Sequence, residues 1–205
     1  MKPLLSRLAA FTLLVVLALP GAAAAQTDAD GARQFIRDLG DRTIEILRDD
    51  STGVEGRVDR FRDLFRRGFD VPTIGRFVLG RYWRQASQEQ QRTYLDLFED
   101  WIVQTYARRF SDYSGETFEI TGTRPEGDDV QVTTRIVRGD APPLQVGWRV
   151  RERNGTYNII DVKVEEVSML ATQRDEFASL IQRNGGNVQA LIDALDQRVA
   201  ELSGG

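Results

Sequence analysis

The sequence predicts an α+β domain in which helices pack on one side of a curled antiparallel sheet of about four strands. Apolar residues recur at helical spacing as far as Phe110, alternate with polar ones from Phe118 to Glu165, and return to helical spacing from Met169. Connections within the alternating half are short, so its strands are expected to pair as an antiparallel meander, each with one apolar face to bury. Helices before and after the sheet supply the cover.

The 205 residues suffice for one domain with a substantial core. Met1 to Ala25 reads as a cleaved signal peptide: Lys2 and Arg7 open it, Leu8 to Leu19 is apolar apart from Thr12, and Ala23-Ala24-Ala25 forms the cleavage site. That leaves residues 26–205 as a single exported domain, expected to be soluble. No Cys follows the apolar run, which excludes the lipid-anchored form of such a leader.

Asp28 and Asp30 precede a helix with Ile36, Leu39, Thr43, Ile46 and Leu47 on one side, ending between Asp49 and Gly53. The next helix sets Val58, Phe61, Phe65 and Phe69 against Arg57, Arg60, Arg62, Arg66 and Arg67, a solvated cationic face. Asp70 stands where an N-cap belongs and Pro72 fits the first turn, so Val71 to Leu79 should be a short helix closed by Gly80. Ser87 and Gln90 make a capping box for a long helix from Gln88 to about Phe110.

In the sheet, Phe118 and Ile120 open the alternation, and Val130, Val132, Thr134 and Ile136 follow the break at Gly127-Asp128-Asp129. Pro142-Pro143 is expected to turn the chain into Leu144, Val146, Trp148 and Val150. Asn154-Gly155 is a strong hairpin signature, leading to a strand in which Ile160, Val162 and Val164 share a face. Helices from Met169 to Gln182 and from Asn187 onward, with Gly185-Gly186 between them, close the domain.

Between Phe69 and Phe110 aromatic residues crowd the chain, and Tyr94, Phe98, Trp101 and Ile102 define one broad helical face. Such a face either fills a solid core or walls a cavity, and the spacing fits both.

Much chemistry is excluded. With no Cys and no His, thiol nucleophiles, Ser-His pairs and the common structural zinc sites cannot be built. No phosphate-binding glycine motif occurs in residues 26–205, so nucleotide binding has no support. The leader takes two of the 27 basic residues and none of the 31 acidic ones, leaving a formal charge of −6 that argues against nucleic acid. Asp161 and Tyr157, if they point to one side of the last long strand, would make an acid-base pair for a small cavity enzyme.

The run VLGRYWRQASQEQQRTYLDLFEDWIVQTYARRF, Val78 to Phe110, and the later DVKVEEVSMLATQRDEF, Asp161 to Phe177, carry a resemblance. Phe77, Leu79 to Trp83, Tyr94, Phe98, Tyr106, Trp148-Arg149, Asp161-Val162, Val167-Ser168, Thr172 and Arg174 to Phe177, in this order, make the chain similar to the MlaC family of periplasmic phospholipid-binding proteins. It departs from the family at Glu166, where a glycine before Val-Ser is usual.

The resemblance implies helices and sheet enclosing an apolar pocket for acyl chains, with the head group near solvent. It implies a soluble periplasmic carrier that shuttles phospholipid between an outer-membrane lipoprotein complex and an inner-membrane ABC transporter, maintaining outer-membrane lipid asymmetry. A hopanoid-associated carrier is the near alternative. No catalytic residue, metal or cofactor is required. The wall residues it points to are Phe65, Phe69, Ile74, Phe77, Val78, Tyr82, Phe98, Trp101, Ile102, Val132, Trp148, Val150, Ile160 and Val162, with Arg81 or Arg149 near a phosphate.

Overall fold

Local capping fixes the helical half. The Asp70 side chain accepts a hydrogen bond from the Thr73 amide at 3.1 Å, and Gly80 closes the helix with φ 59°. Ser87 and Gln90 form the reciprocal box, Gln90 N to Ser87 Oγ and Ser87 N to Gln90 Oε1, both at 3.1 Å. The structure is a computed structural model that describes residues 21–49, 51, 53–107, 113, 115–139 and 141–204.

Its helices are α1 (Gly21–Arg48), α2 (Gly53–Gly68), α3 (Val71–Leu79), α4 (Gln88–Ala107), α5 (Met169–Arg183) and α6 (Val188–Ser203). A 3-10 turn, Gly80–Arg84, joins α3 to the loop before α4. The first twenty residues of the expected leader lie outside the described residues, as do Phe110 and most of the break that follows it. Among the described residues no helix is long and apolar enough to cross a membrane.

Five strands, β1 (Thr117–Glu126), β2 (Asp129–Arg138), β3 (Ala141–Arg153), β4 (Thr156–Val164) and β5 (Val167–Ser168), form one antiparallel sheet in sequence order. The expected four are the long ones; β5 adds two residues. Asn154 and Gly155, with φ 55° and 80°, make the predicted tight hairpin between Arg153 and Thr156.

Two expectations about the sheet are corrected. Pro142-Pro143 does not turn the chain but lies within β3, in a register break between Ile136↔Leu144 and Arg138↔Ala141. No ladder amide is needed there, so proline's missing N–H costs nothing. A bulge interrupts β3 and β4 as well: Val150 pairs with Ile159, yet Arg149 pairs with Asp161. Ile160 is the extra residue, and Ile159 takes the central place beside Val150 that the simple alternation gave to Ile160.

Two apolar clusters result. One is wholly helical and includes Phe65, Ile74, Val78, Tyr82, Tyr94, Phe98, Phe177, Ile181, Leu191 and Leu195 from α2 to α6. In the other, Ala32 and Ile36 of α1 lie on Val130, Val132, Val150 and Ile159 of the sheet. The helix lies close to the strands because Gly40 sits against the Phe118 ring and Gly31 against Tyr157, where a Cβ would come within 2.8 and 2.0 Å. Phe69, between α2 and α3, packs against both clusters.

Candidate functional site

Alternation along the strands sorts the sheet into two faces. The face toward α1 carries the rows Val130–Val150–Ile159, Val132–Trp148–Val162, Thr134–Val146–Val164 and Phe118–Ile136–Leu144. Toward the first row this surface is sealed: Val130, Val132, Val150 and Ile159 are almost wholly buried. Toward the last row it opens, and Phe118, Ile120, Ile136, Leu144, Trp148, Val162 and Val164 are half-buried. The one polar side chain among the rows is satisfied: Thr134 Oγ1 accepts from Trp148 Nε1 at 2.9 Å and donates to the Val146 carbonyl at 3.2 Å. That pair of bonds also fixes the indole's orientation.

On the helical side Phe69, Trp101 and Ile102 are among the half-buried residues packed against the core, and the Trp101 ring stands 5.9 Å from that of Phe177. The α2–α3 junction is fastened to the sheet, with a bridge between Phe69 and Ile159 and the Asp70 amide donating to the Ile159 carbonyl at 3.1 Å. Each of the two cores thus carries half-buried apolar residues at its margin, and Phe69 packs against both.

The predicted wall residues fall into five groups. Phe65, Ile74, Val78, Tyr82 and Phe98 belong to the helical core, and Val132 and Val150 to the sheet core. Ile160 is buried beside the bulge. Phe69, Trp101, Ile102, Trp148 and Val162 are half-buried, Trp101 and Ile102 against the helical core, Trp148 and Val162 against the sheet core, and Phe69 against both. Phe77 lies apart, 45% exposed with the Arg174 guanidinium 5.0 Å from its ring centre.

The two arginines expected near a phosphate are placed differently from each other. Arg81 is exposed; its Nη2 donates to the Tyr82 hydroxyl at 2.8 Å and its guanidinium lies over the Tyr82 ring. Arg149 alternates with Trp148 and Val150 and so projects from the opposite face of the sheet. There its Nε and the Nε of Arg151 donate to Asp129 at 2.7 and 2.6 Å. Burial pushes the Asp129 carboxyl up, but the hydrogen bonds and charges of Arg151 and Arg149 outweigh it and hold the group below its ordinary value.

The bulge separates Asp161 from Tyr157. Tyr157 shares a face with Ile159 and stacks on Phe35 of α1 at 6.1 Å, whereas Asp161 pairs with Arg149 on the other face and faces the Leu170 amide at 3.5 Å. The acid-base pair that simple alternation suggested is not assembled. Burial, then the charges of Asp28 and Glu152, push the Tyr157 hydroxyl further up. Among the described residues no group of three or more His, Cys, Asp or Glu could hold a metal.

Sequence reasoning missed Ile159, Thr134 and the half-buried row Phe118–Ile136–Leu144. The row was legible from the alternation; the place of Ile159 depends on a bulge that only pairing with β3 reveals.

Comparisons with known proteins agree on one family. The model described as MlaC protein matches residues 37–197. Over 132 residues the chain is 26% identical to the intermembrane phospholipid transport system binding protein MlaC of Haemophilus influenzae, a match covering 62% of this chain and 61% of that protein. It is 24% identical over 206 residues to the toluene tolerance protein ttg2D of Pseudomonas putida, covering 98% of this chain and 91% of that one. The fold is shared with a phospholipid-binding protein from Ralstonia solanacearum solved in complex with a phospholipid: TM-score 0.73 and 24% identity, over 84% of this chain and 98% of that one. A family model that runs from α1 into α6, through every strand of the sheet, places the chain in the MlaC family.

Proposed function

We propose that this protein is a periplasmic phospholipid carrier, not an enzyme, and that the acyl chains lie in the seam between the helical core and the sheet. The observation that carries the reading is the division of the interior into two clusters joined by Phe69, with half-buried apolar side chains on both sides. Family membership and the names of the relatives support the class of cargo. Docking on an outer-membrane lipoprotein complex and an inner-membrane ABC transporter, and a role in outer-membrane lipid asymmetry, belong to the same proposal.

The energetics suit such a seam. Two acyl chains present roughly 30 methylenes, and at about 0.8 kcal/mol each their exposure would cost roughly 24 kcal/mol. Free diffusion of lipid is negligible on that scale. A carrier must match the membrane's apolar burial without greatly exceeding it, or release would fail. Aliphatic and aromatic walls with satisfied polar groups meet that condition.

The test is organic-solvent extraction of the purified protein followed by mass spectrometry, with another exported protein prepared in parallel as control. Stoichiometric phospholipid is the expected result, and its head-group and chain distribution separates phospholipid from hopanoid cargo. A protein that yields no lipid above control, and acquires none from liposomes, would sink the carrier reading.

A further inference from the structure

A second feature lies on the outward side of α3, away from its buried residues Ile74, Val78 and Leu79. Arg76, Phe77, Gly80, Trp83 and Arg84 line an open cleft of about 290 Å³ that Arg174 of α5 also borders. Its charge runs against that of the chain, which carries a formal net −4. From Val71 to Gln88 there are three arginines and no acidic residue, and among the described residues no carboxylate pairs with Arg76, Arg84 or Arg174. The acids next to Arg174 in sequence, Asp175 and Glu176, line a different cleft between α5 and α6.

The cleft is also shaped. The Arg174 guanidinium is held over the exposed Phe77 ring, and Gly80 makes room for it: a Cβ there would stand 3.0 Å from Arg174 Nε. Guanidinium groups present planar forks of donors suited to phosphate oxygens, and three of them converge here beside an aromatic surface. At about 290 Å³ the space suits a small phosphate ester, at the lower limit of ordinary ligand pockets.

We infer that this cleft is a phosphate-ester site, separate from the apolar seam. A lipid head group in a bilayer surface and a soluble phosphate ester share that chemistry. The exposed Phe77 beside three arginines is the composition of an interfacial contact, so anionic vesicles are the first probe.

The experiment compares the wild-type chain, an Arg76→Gln/Arg84→Gln/Arg174→Gln variant and a charge-matched Arg37→Gln/Arg42→Gln/Arg153→Gln control, altered at exposed positions elsewhere. Each is sedimented with phosphatidylglycerol or phosphatidylcholine vesicles and titrated with soluble glycerol 3-phosphate, with thermal unfolding to verify folding. Expected is loss of phosphatidylglycerol binding by about tenfold or more in the cleft variant and little change in the control. Retention on vesicles alone assigns the site to a lipid head group, and saturable binding of glycerol phosphate extends it to soluble esters. Equal losses in both variants, no binding of either probe, or displacement by poly-glutamate without phosphate binding would overturn the proposal. Lipid content of the purified variant should stay as in wild type, so this inference and the carrier reading fail separately.

Discussion

Asp129 has the burial of a core residue although it carries a charge, with its side chain wholly enclosed and its oxygens shared between Arg149 and Arg151. Removing the charge leaves two guanidinium groups facing a site built for an anion. Asp129→Asn is expected to cost about 2 kcal/mol at neutral pH, less than for a fully buried pair because both arginines reach solvent. Because the folded carboxyl titrates below the ordinary 3.8, its contribution is present above that value and lost as pH falls through the folded pKa. The difference between urea melts of wild type and variant should therefore be full at pH 7 and shrink progressively as the pH is taken below 3.8. Arg149 illustrates what was readable: its neighbours Trp148 and Val150 were both assigned to the wall, so alternation alone sends it to the other face. Its partner was not readable, since Asp129 lies twenty positions away along the chain.

At the scale of elements, the β4–β5 turn depends on two left-handed residues, Glu165 and Glu166, with φ 48° and 65°. Val164 pairs with Val167 across them, so the connection is a two-residue hairpin of the type that favours Asn-Gly. The departure from the family pattern at Glu166 thus falls where a side chain is strained. Glu166→Gly should raise stability by about 1 kcal/mol, measured as an increased denaturation midpoint with unchanged slope. Caps and hairpins such as Asp70, Ser87-Gln90 and Asn154-Gly155 were legible because each is decided within a few residues. The bulge at Ile160 and the register break at Pro142-Pro143 were not, because both are properties of a strand and its partner together.

For the whole molecule, two cores that share Phe69 make that residue more consequential than its half-burial suggests. Phe69→Ala should destabilise the fold by about 2 kcal/mol and lower the lipid recovered with the protein. Denaturant melts and lipid extraction of the same preparation check both effects. Fluorescence offers a second view, since Trp101 and Trp148 are half-buried at the margins of the two cores, where the proposed acyl site lies, while Trp83 lines the outer cleft. Removing bound lipid should shift emission to longer wavelength in wild type and in Trp83→Phe alike, and the shift should shrink in Trp148→Phe. The order of helices and strands was legible from periodicity. The division of the apolar residues into two clusters was not, because the same stripe on α4 serves a closed core or an open wall equally well.

The fastening of Asp70 to Ile159 also bears on self-association. An open sheet presents two edges that can template pairing with another chain. On β4 one end is occupied by the α2–α3 junction, reinforced by Asn158 Nδ2 donating to the Arg67 carbonyl at 3.3 Å, and the other by β5 against Lys163 and Val164. On β1 the irregularity between Ile120 and Gly122, Pro125 near the strand's end and the exposed Glu119 and Arg124 interrupt the line of free amides and carbonyls. The protein can thus leave its sheet unclosed without offering a clean strand for a neighbour to extend, which favours a dispersed chain over filament growth at high local concentration.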